Sequence, residues 1–243
     1  MLRTVFRKYV RPLLHVFGFD LVPFEKRPGP FRPKLFHDIE SVLHSDELII
    51  FDVGANNGQT VERFRAELPR SIIHSFEPGP KAFEQLKNIA CLENVFIWNL
   101  ALGSSSGHQI FFENDHSDMS SFLPLGERSW GKIEKETVVN MTTINQFCTE
   151  HQIERIDVLK SDAQGYDLEV FKGAETMMQA GKIGLIYFEV TFSNMYKGAP
   201  HFEEIFHYLN QQGFQLHRLY ELCHYKQALW TDVLFIHERY LAK

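Results

Sequence analysis

Cysteine is scarce in this chain of 243 residues: Cys91, Cys148 and Cys223 are widely spaced and odd in number. That argues against a disulfide framework and against a zinc site, and it fits a reducing compartment, so a cytoplasmic location is expected. Missing too is any apolar run approaching the roughly 18 residues of a membrane span. There is no basic excess either, since the formal net charge is -6. Residues 1–35 carry eight Lys/Arg against Asp20 and Glu25, which leaves a net -12 on the remainder. Phosphate binding draws on a basic surface, so an acidic body excludes nucleic acid as the expected partner. Length, 44% apolar residues and 23% charged residues suit one globular domain with decoration.

The stretch Leu48–Gly58 is the informative one. An apolar run of strand length ends in Asp52-Val53-Gly54-Ala55-Asn56-Asn57-Gly58, and a helical pattern follows from Thr60 to Leu68. Strand, glycine turn and helix form the first half of a nucleotide-binding βαβ unit. The spacing Gly54-x-x-x-Gly58 lacks the third glycine of a dinucleotide fingerprint, and a carboxylate precedes the turn. A pyrophosphate calls for bare amides at a helix N-terminus. Asp52 suits a ligand with positive charge, such as the ammonium and sulfonium of S-adenosylmethionine. A second apolar strand, Ile72–Phe76, ends in Glu77-Pro78, where such folds hold a ribose diol.

At the N-terminus, residues 1–17 read as an amphipathic helix with Arg3, Arg7 and Arg11 opposite an apolar stripe. It lacks the uninterrupted apolar core and cleavage site of a signal peptide. The expectation is a helix packed on the main domain or lidding its cleft; the alternative is a peripheral contact with the inner face of a membrane. Pro23 to Pro33, with four prolines, reads as an arm. The domains expected are therefore 1–34, helix and arm, and 35–243, the main body.

Further strands are predicted at Val95–Gly103, His108–Phe112, Val138–Met141, Ile156–Ser161, Ile183–Val190, Phe214–Leu219 and Val233–Ile236, with a long polar loop over 113–131. A short helix from Thr143 is capped by Thr142 or Thr143, and Glu221–Thr231 joins the last two strands. The fold class is α/β: a Rossmann-like, seven-stranded, mostly parallel sheet with helices on both faces and an antiparallel last strand, the layout of a class I methyltransferase. Ligands in open α/β sheets bind beyond the carboxyl ends of the strands. That rule gathers Asp52, Glu77, Asn99–Leu102, Asp162 and Glu189 along one edge.

The ordered set Asp52-Val-Gly-Ala-Asn-x-Gly58, Phe76-Glu77-Pro78-x-Pro80, Asn99-Leu-Ala101-Leu102-Gly103, Lys160-Ser-Asp162-Ala-Gln-Gly165, Phe171-Lys-Gly-Ala174 and Phe188-Glu189 resembles the FkbM-type family of S-adenosylmethionine-dependent methyltransferases over residues 48–237. The family pattern usually reads Lys-Ile-Asp-Val-Glu-Gly-x-Glu where this chain has Ser161, Gln164 and Asp167. By the resemblance Asp52, Gly54, Ala55, Asn56 and Gly58 line the methionine end, Glu77 and Pro78 the ribose, and Ala101 the adenine. Ser120 and Ser121 reach the cofactor, and the acceptor is a hydroxyl of a sugar, glycan or related natural product.

Methyl transfer to an alcohol needs alignment of the oxygen and removal of its proton. Asp162 and Glu189 are the candidate catalytic pair, as base and orienter or as joint ligands of Mg²⁺. Trp130, Tyr196, Tyr225 and Trp230 are candidates for a sugar-stacking platform, although core or loop packing accounts for most of them. Two other functions stay open: a catalytically inactive S-adenosylmethionine-binding or interaction protein, which Gln164 keeps in play, and an NAD-type oxidoreductase, against which the glycine spacing speaks.

Overall fold

A computed structural model describes residues 34–45, 47–225 and 227–241, without the side chains of Lys34 and residues 224–228. The N-terminal amphipathic helix and the proline arm lie outside the described residues. The chain divides into two compact units, Met1–Asp38 and Ile39–Lys243, with helix α1 (Lys34–Leu43) running across the boundary. All that follows concerns the second unit.

Its main sheet contains β1 (Ile49–Val53), β2 (Ile72–Phe76), β3 (Val95–Trp98), β7 (Ile156–Ser161), β8 (Ile183–Thr191), β9 (Phe214–Leu219), β10 (Cys223–Tyr225) and β11 (Gln227–His237). The order is β3-β2-β1-β7-β8-β11, with β9 and β10 both on β11. The first five pair in parallel, and β11 runs antiparallel to β8 and to β9. Seven of these strands give the expected class I layout. The eighth, β10, falls where a loop was expected: β11 begins at Gln227 and carries β10 on the same edge as β9, so the outer strand is interrupted at residues 220–222 rather than ended.

Helix α2 (Gln59–Glu67) follows β1, and α3 (Pro80–Leu86) follows β2 with Pro80 at its first turn. The predicted third strand breaks at Asn99-Leu100, whose Asn99 side chain donates to the carbonyls of Glu77 (2.9 Å) and Pro78 (3.1 Å). The chain then leaves the main sheet, and β4 (Ala101–Leu102) pairs with β6 (Ile133–Thr142), which forms a long hairpin with β5 (Gly107–Asn114). Helix α4 (Ile144–Glu150) is capped by Thr143, whose hydroxyl accepts the Gln146 amide at 3.0 Å. Two short helices follow residue 167, α5 (Asp167–Lys172) and α6 (Glu175–Gln179). Gly173 between them sits against the Gly103 carbonyl, which an added Cβ would approach to 2.0 Å. Helix α7 (Phe202–Gln211) precedes β9.

Alternation along the strands sorts the two faces. Phe51, Val53, Phe76, Leu159, Ile186, Phe188, Val233 and Phe235 pack with Phe147, Phe171, Met178 and Leu209 into one large core beneath α4 to α7. Their neighbours Asp52, Lys160, Tyr187 and Leu234 lie in register on the other face. No described helix is long and apolar enough to cross a membrane.

Candidate active site

The turn after β1 is built by its glycines. Gly54 has φ 72 and lies so close to the neighbouring strand end that a Cβ would come within 2.1 Å of the Asp162 carbonyl oxygen. Only glycine accepts both conditions without strain. Gly58, at φ 93, caps α2 and abuts Ile89 and Leu86. Asn56 is held in the left-handed region at φ 48.

Beneath the turn lies a buried ion pair. The Lys160 ammonium is 2.8 Å from Asp52 Oδ1 and also donates to the carbonyls of Val53 (3.3 Å) and Gly54 (3.2 Å). Among the described residues, Asp52 Oδ2 meets no hydrogen-bond donor. Asp52 therefore does not line the cleft. Its carboxylate is fully buried, and it acts on the turn through Lys160. Burial alone would lower the Lys160 pKa, but the neighbouring Asp52 and Asp162 outweigh it and hold it above the ordinary value.

Glu77 ends β2 with both carboxylate oxygens engaged: Oε2 accepts the Asn56 amide at 2.8 Å and Oε1 the Gly79 amide at 2.7 Å. Burial pushes its pKa up to about 7, against the pull of these two amides and of Lys160. A carboxylate offers roughly four acceptor positions, so two remain for a ligand.

Gly54, Asn56, Glu77, Pro78, Leu100, Ala101, Phe111, Ser120, Phe122, Asp162 and Gln164 line a cleft with about 590 Å³ of empty space, counted out to its open mouth. Of the expected cofactor residues, Gly54, Asn56, Glu77, Pro78 and Ala101 meet there. Asp52, Ala55, Gly58 and Ser121 do not. Ala55 is buried under the turn. The Ser121 hydroxyl is consumed internally, donating to the Gln164 carbonyl (2.8 Å) and accepting the Leu123 amide (3.0 Å). Its neighbour Ser120, expected there with it, does line the cleft, as do Ser117 and Asp118 of the same loop.

Past Asp162, beyond the lining of the cleft, the sheet register sets carboxyls side by side. Glu189 pairs with Asp232 across β8 and β11, while Lys160 pairs with Tyr187 two residues below. Asp162, one residue past β7, continues that row, so Asp162, Glu189 and Asp232 lie on neighbouring strands and on one face. Burial, then Asp162, Asp232 and Asp167, push Glu189 up to about 9. Burial also raises Asp232, whose Oδ2 accepts the Tyr187 hydroxyl at 2.6 Å. The sequence reading has Asp232 only in the run Asp232-Val-Leu-Phe235, which fits the family pattern, and gives it no place at the site. Its partnership with Glu189 depends on an antiparallel pairing between distant segments, and only its alternation with apolar neighbours hinted at it.

Asp167, not Asp162, organises the turn into α5. It accepts from the Ser161 hydroxyl (2.5 Å) and the Ala163 amide (3.0 Å). Asp162 is left with Gln164 Nε2 at 2.5 Å on Oδ1 and Lys160 at 4.0 Å from Oδ2. Among the described residues no three His, Cys, Asp or Glu side chains are arranged to hold a metal ion. Of the aromatic candidates, Tyr196 is buried over Gln164, and the rings of Trp130 and Trp230 sit 6.0 Å apart. The Tyr225 side chain is outside the described residues.

Comparison with known proteins bears on this arrangement. The sequence model of the methyltransferase FkbM domain matches residues 52–216, a span holding the glycine turn, Glu77, Asp162 and Glu189. The chain belongs to the FkbM methyltransferase family. Over 177 residues it is 25% identical to the 2-O-methyltransferase NoeI of Sinorhizobium fredii, covering 68% of this chain and 72% of NoeI. It is 30% identical over 156 residues to the methyltransferase sdnD of Sordaria araneosa, covering 52% of this chain and 60% of that relative. The crystal structure of methyltransferase FkbM from Methylobacillus flagellatus superposes with a TM-score of 0.54 at 13% identity, over 84% of this chain and 50% of that one. The chain thus spans about half of that solved relative, and the likeness concerns the fold, a class I methyltransferase sheet.

Proposed function

We propose that this FkbM-family chain transfers a methyl group from S-adenosylmethionine to a hydroxyl oxygen of a sugar, glycan or related natural product. The observation that carries the reading is the continuity of one cleft from Glu77, through Gly54 and Asn56, to the carboxylate of Asp162. The name of the relative NoeI, a 2-O-methyltransferase, supports oxygen as the acceptor atom.

The residues fit such a cofactor. Gly54 leaves bare backbone at the turn, and Glu77 keeps free acceptor positions beside Pro78 and Ala101, suited to a ribose diol with the adenine beyond it. The acidic end of the cleft suits a cation. When bound, the cofactor supplies an electrophilic methyl on a cationic sulfur. The chain's own residues do the rest. Asp162 Oδ2 would take up the proton that the acceptor hydroxyl gives up on methylation. Glu189, which holds its proton near neutral pH, donates a hydrogen bond that orients the acceptor. Ser117, Asp118, Ser120 and Phe122, on the loop after β5, wall the cleft and exclude water. For the Mg²⁺ alternative, no three His, Cys, Asp or Glu side chains are arranged as ligands among the described residues; no step runs through a metal.

The test is methyl transfer from labelled S-adenosylmethionine to a panel of methyl pyranosides, read by mass spectrometry. Wild type should label an oxygen, and Asp162→Asn should bind S-adenosylhomocysteine normally yet lose about 10²–10⁴-fold in rate. Equal rates in both proteins would remove Asp162 from the chemistry. Cofactor binding with no transfer to any hydroxyl would favour the inactive binding protein.

A further inference from the structure

Residue 164 is where the chain exchanges the carboxylate of the family pattern for an amide. Gln164 has φ 51 and Gly165 φ 86, a tight left-handed turn directly past β7. A non-glycine residue at positive φ is strained and persists where its surroundings hold it. Three groups do so here. The Ser121 hydroxyl donates to its backbone carbonyl, the Tyr196 hydroxyl donates to Oε1 at 2.5 Å, and Nε2 donates to Asp162 Oδ1 at 2.5 Å. Burial first, then the acids Asp162 and Glu189, keep the Tyr196 proton on its oxygen. With Tyr196 on the carbonyl side, the N–H side of the amide is turned to Asp162.

We propose that Gln164 is a positioning residue that holds the Asp162 carboxylate in one orientation. Its amide, aimed by Tyr196, occupies Oδ1 and leaves Oδ2 free to accept the proton of the acceptor hydroxyl. This rests on the methyl-transfer reading for the identity of the acceptor, but the hydrogen-bond relay itself does not. The surroundings show why a donor is needed. Glu189 and Tyr187 face Asp162 from β8, Asp232 from β11, Asp167 from α5 and Tyr196 from the segment after β8; among the described residues the cation beside it is Lys160, on β7. A carboxylate at 164 would meet Asp162 across the same contact, and two carboxylates at that separation share a proton.

The experiment follows the Asp162 carboxyl by carbon-13 resonance over a pH series, the signal being identified by its loss in Asp162→Asn. Wild type is compared with Gln164→Glu, Gln164→Met and Tyr196→Phe, with S-adenosylhomocysteine binding measured on each. Protonation of Asp162 should move up by about one to three pH units in Gln164→Glu. It should move less, in the same direction, in Gln164→Met and Tyr196→Phe. A wild-type midpoint reproduced in Gln164→Glu, or in Gln164→Met should the first variant not fold, overturns the proposal. Failure of S-adenosylhomocysteine to bind any of them would instead sink the cofactor reading and leave the titration to decide the relay.

Discussion

Glu77 offers the sharpest handle on the cofactor assignment, because its burial couples proton and ligand binding. Its carboxyl releases its proton at about 7 in the folded chain. A ribose diol donates hydrogen bonds, so it binds the ionised form and competes with the proton. Affinity for S-adenosylhomocysteine should therefore be full above the folded pKa and fall tenfold per unit below it. Between about pH 7.5 and 5.5 the loss works out at roughly 25-fold. Glu189, at about 9, stays protonated across that window and does not contribute. Glu77→Gln removes the titration and one acceptor, so it should bind roughly 10- to 100-fold more weakly at the upper pH, about 1.5–3 kcal/mol, with a flat profile. Calorimetry in two buffers of different ionisation enthalpy reads affinity and proton release together. A wild-type affinity independent of pH, or a Glu77→Gln profile with the same slope, would refute the reasoning. The same group shapes stability: the folded chain binds this proton more tightly than the unfolded one, so stability falls as pH rises from about 4.5 to about 7, by about 3 kcal/mol.

Three further outcomes follow from the packing. Lys160→Met leaves Asp52 buried without its counter-ion and should cost about 3–5 kcal/mol, visible as a lowered unfolding midpoint; adding Asp52→Asn should recover part of it. Gly54→Ala places a Cβ against the Asp162 carbonyl at positive φ and should destabilise the chain by roughly 2–5 kcal/mol, with S-adenosylhomocysteine binding lost in the folded fraction. Thr143→Ala removes the cap of α4 and should cost about 1 kcal/mol with binding unchanged, which makes it a control for general destabilisation.

Much of the framework was legible because it is written locally. The runs ending at Val53, Phe76, Ser161 and Val190 are apolar, of strand length, and punctuated by glycine or a carboxylate, so strand positions and their common functional edge could be read directly. What escaped depends on pairing across distance. The break at Asn99 arises from a side chain reaching back to Glu77 and Pro78, and no periodicity reports that. Strand β10 exists because β11 offers it an edge, although the residues between Glu221 and Thr231 look like a connection. The helix after Asp167 divides where Gly173 meets Gly103, a contact between segments seventy positions apart in the sequence. At the site, Asp52 and Ser121 were expected to face the ligand, yet both are spent inside: one on Lys160, the other on Gln164. Residue type named the polar groups at the strand ends. Only the register could say which of them turn inward.

The central claim is that the cleft between Gly54, Glu77 and Asp162 holds S-adenosylmethionine. Its most direct test is calorimetric titration of the chain, near neutral pH, with S-adenosylhomocysteine and separately with NADH, using Glu77→Ala alongside. Binding of S-adenosylhomocysteine in the micromolar range, lost or much weakened in Glu77→Ala and absent for NADH, is the expected result. Binding of NADH in its place, or S-adenosylhomocysteine affinity untouched by Glu77→Ala, would contradict it.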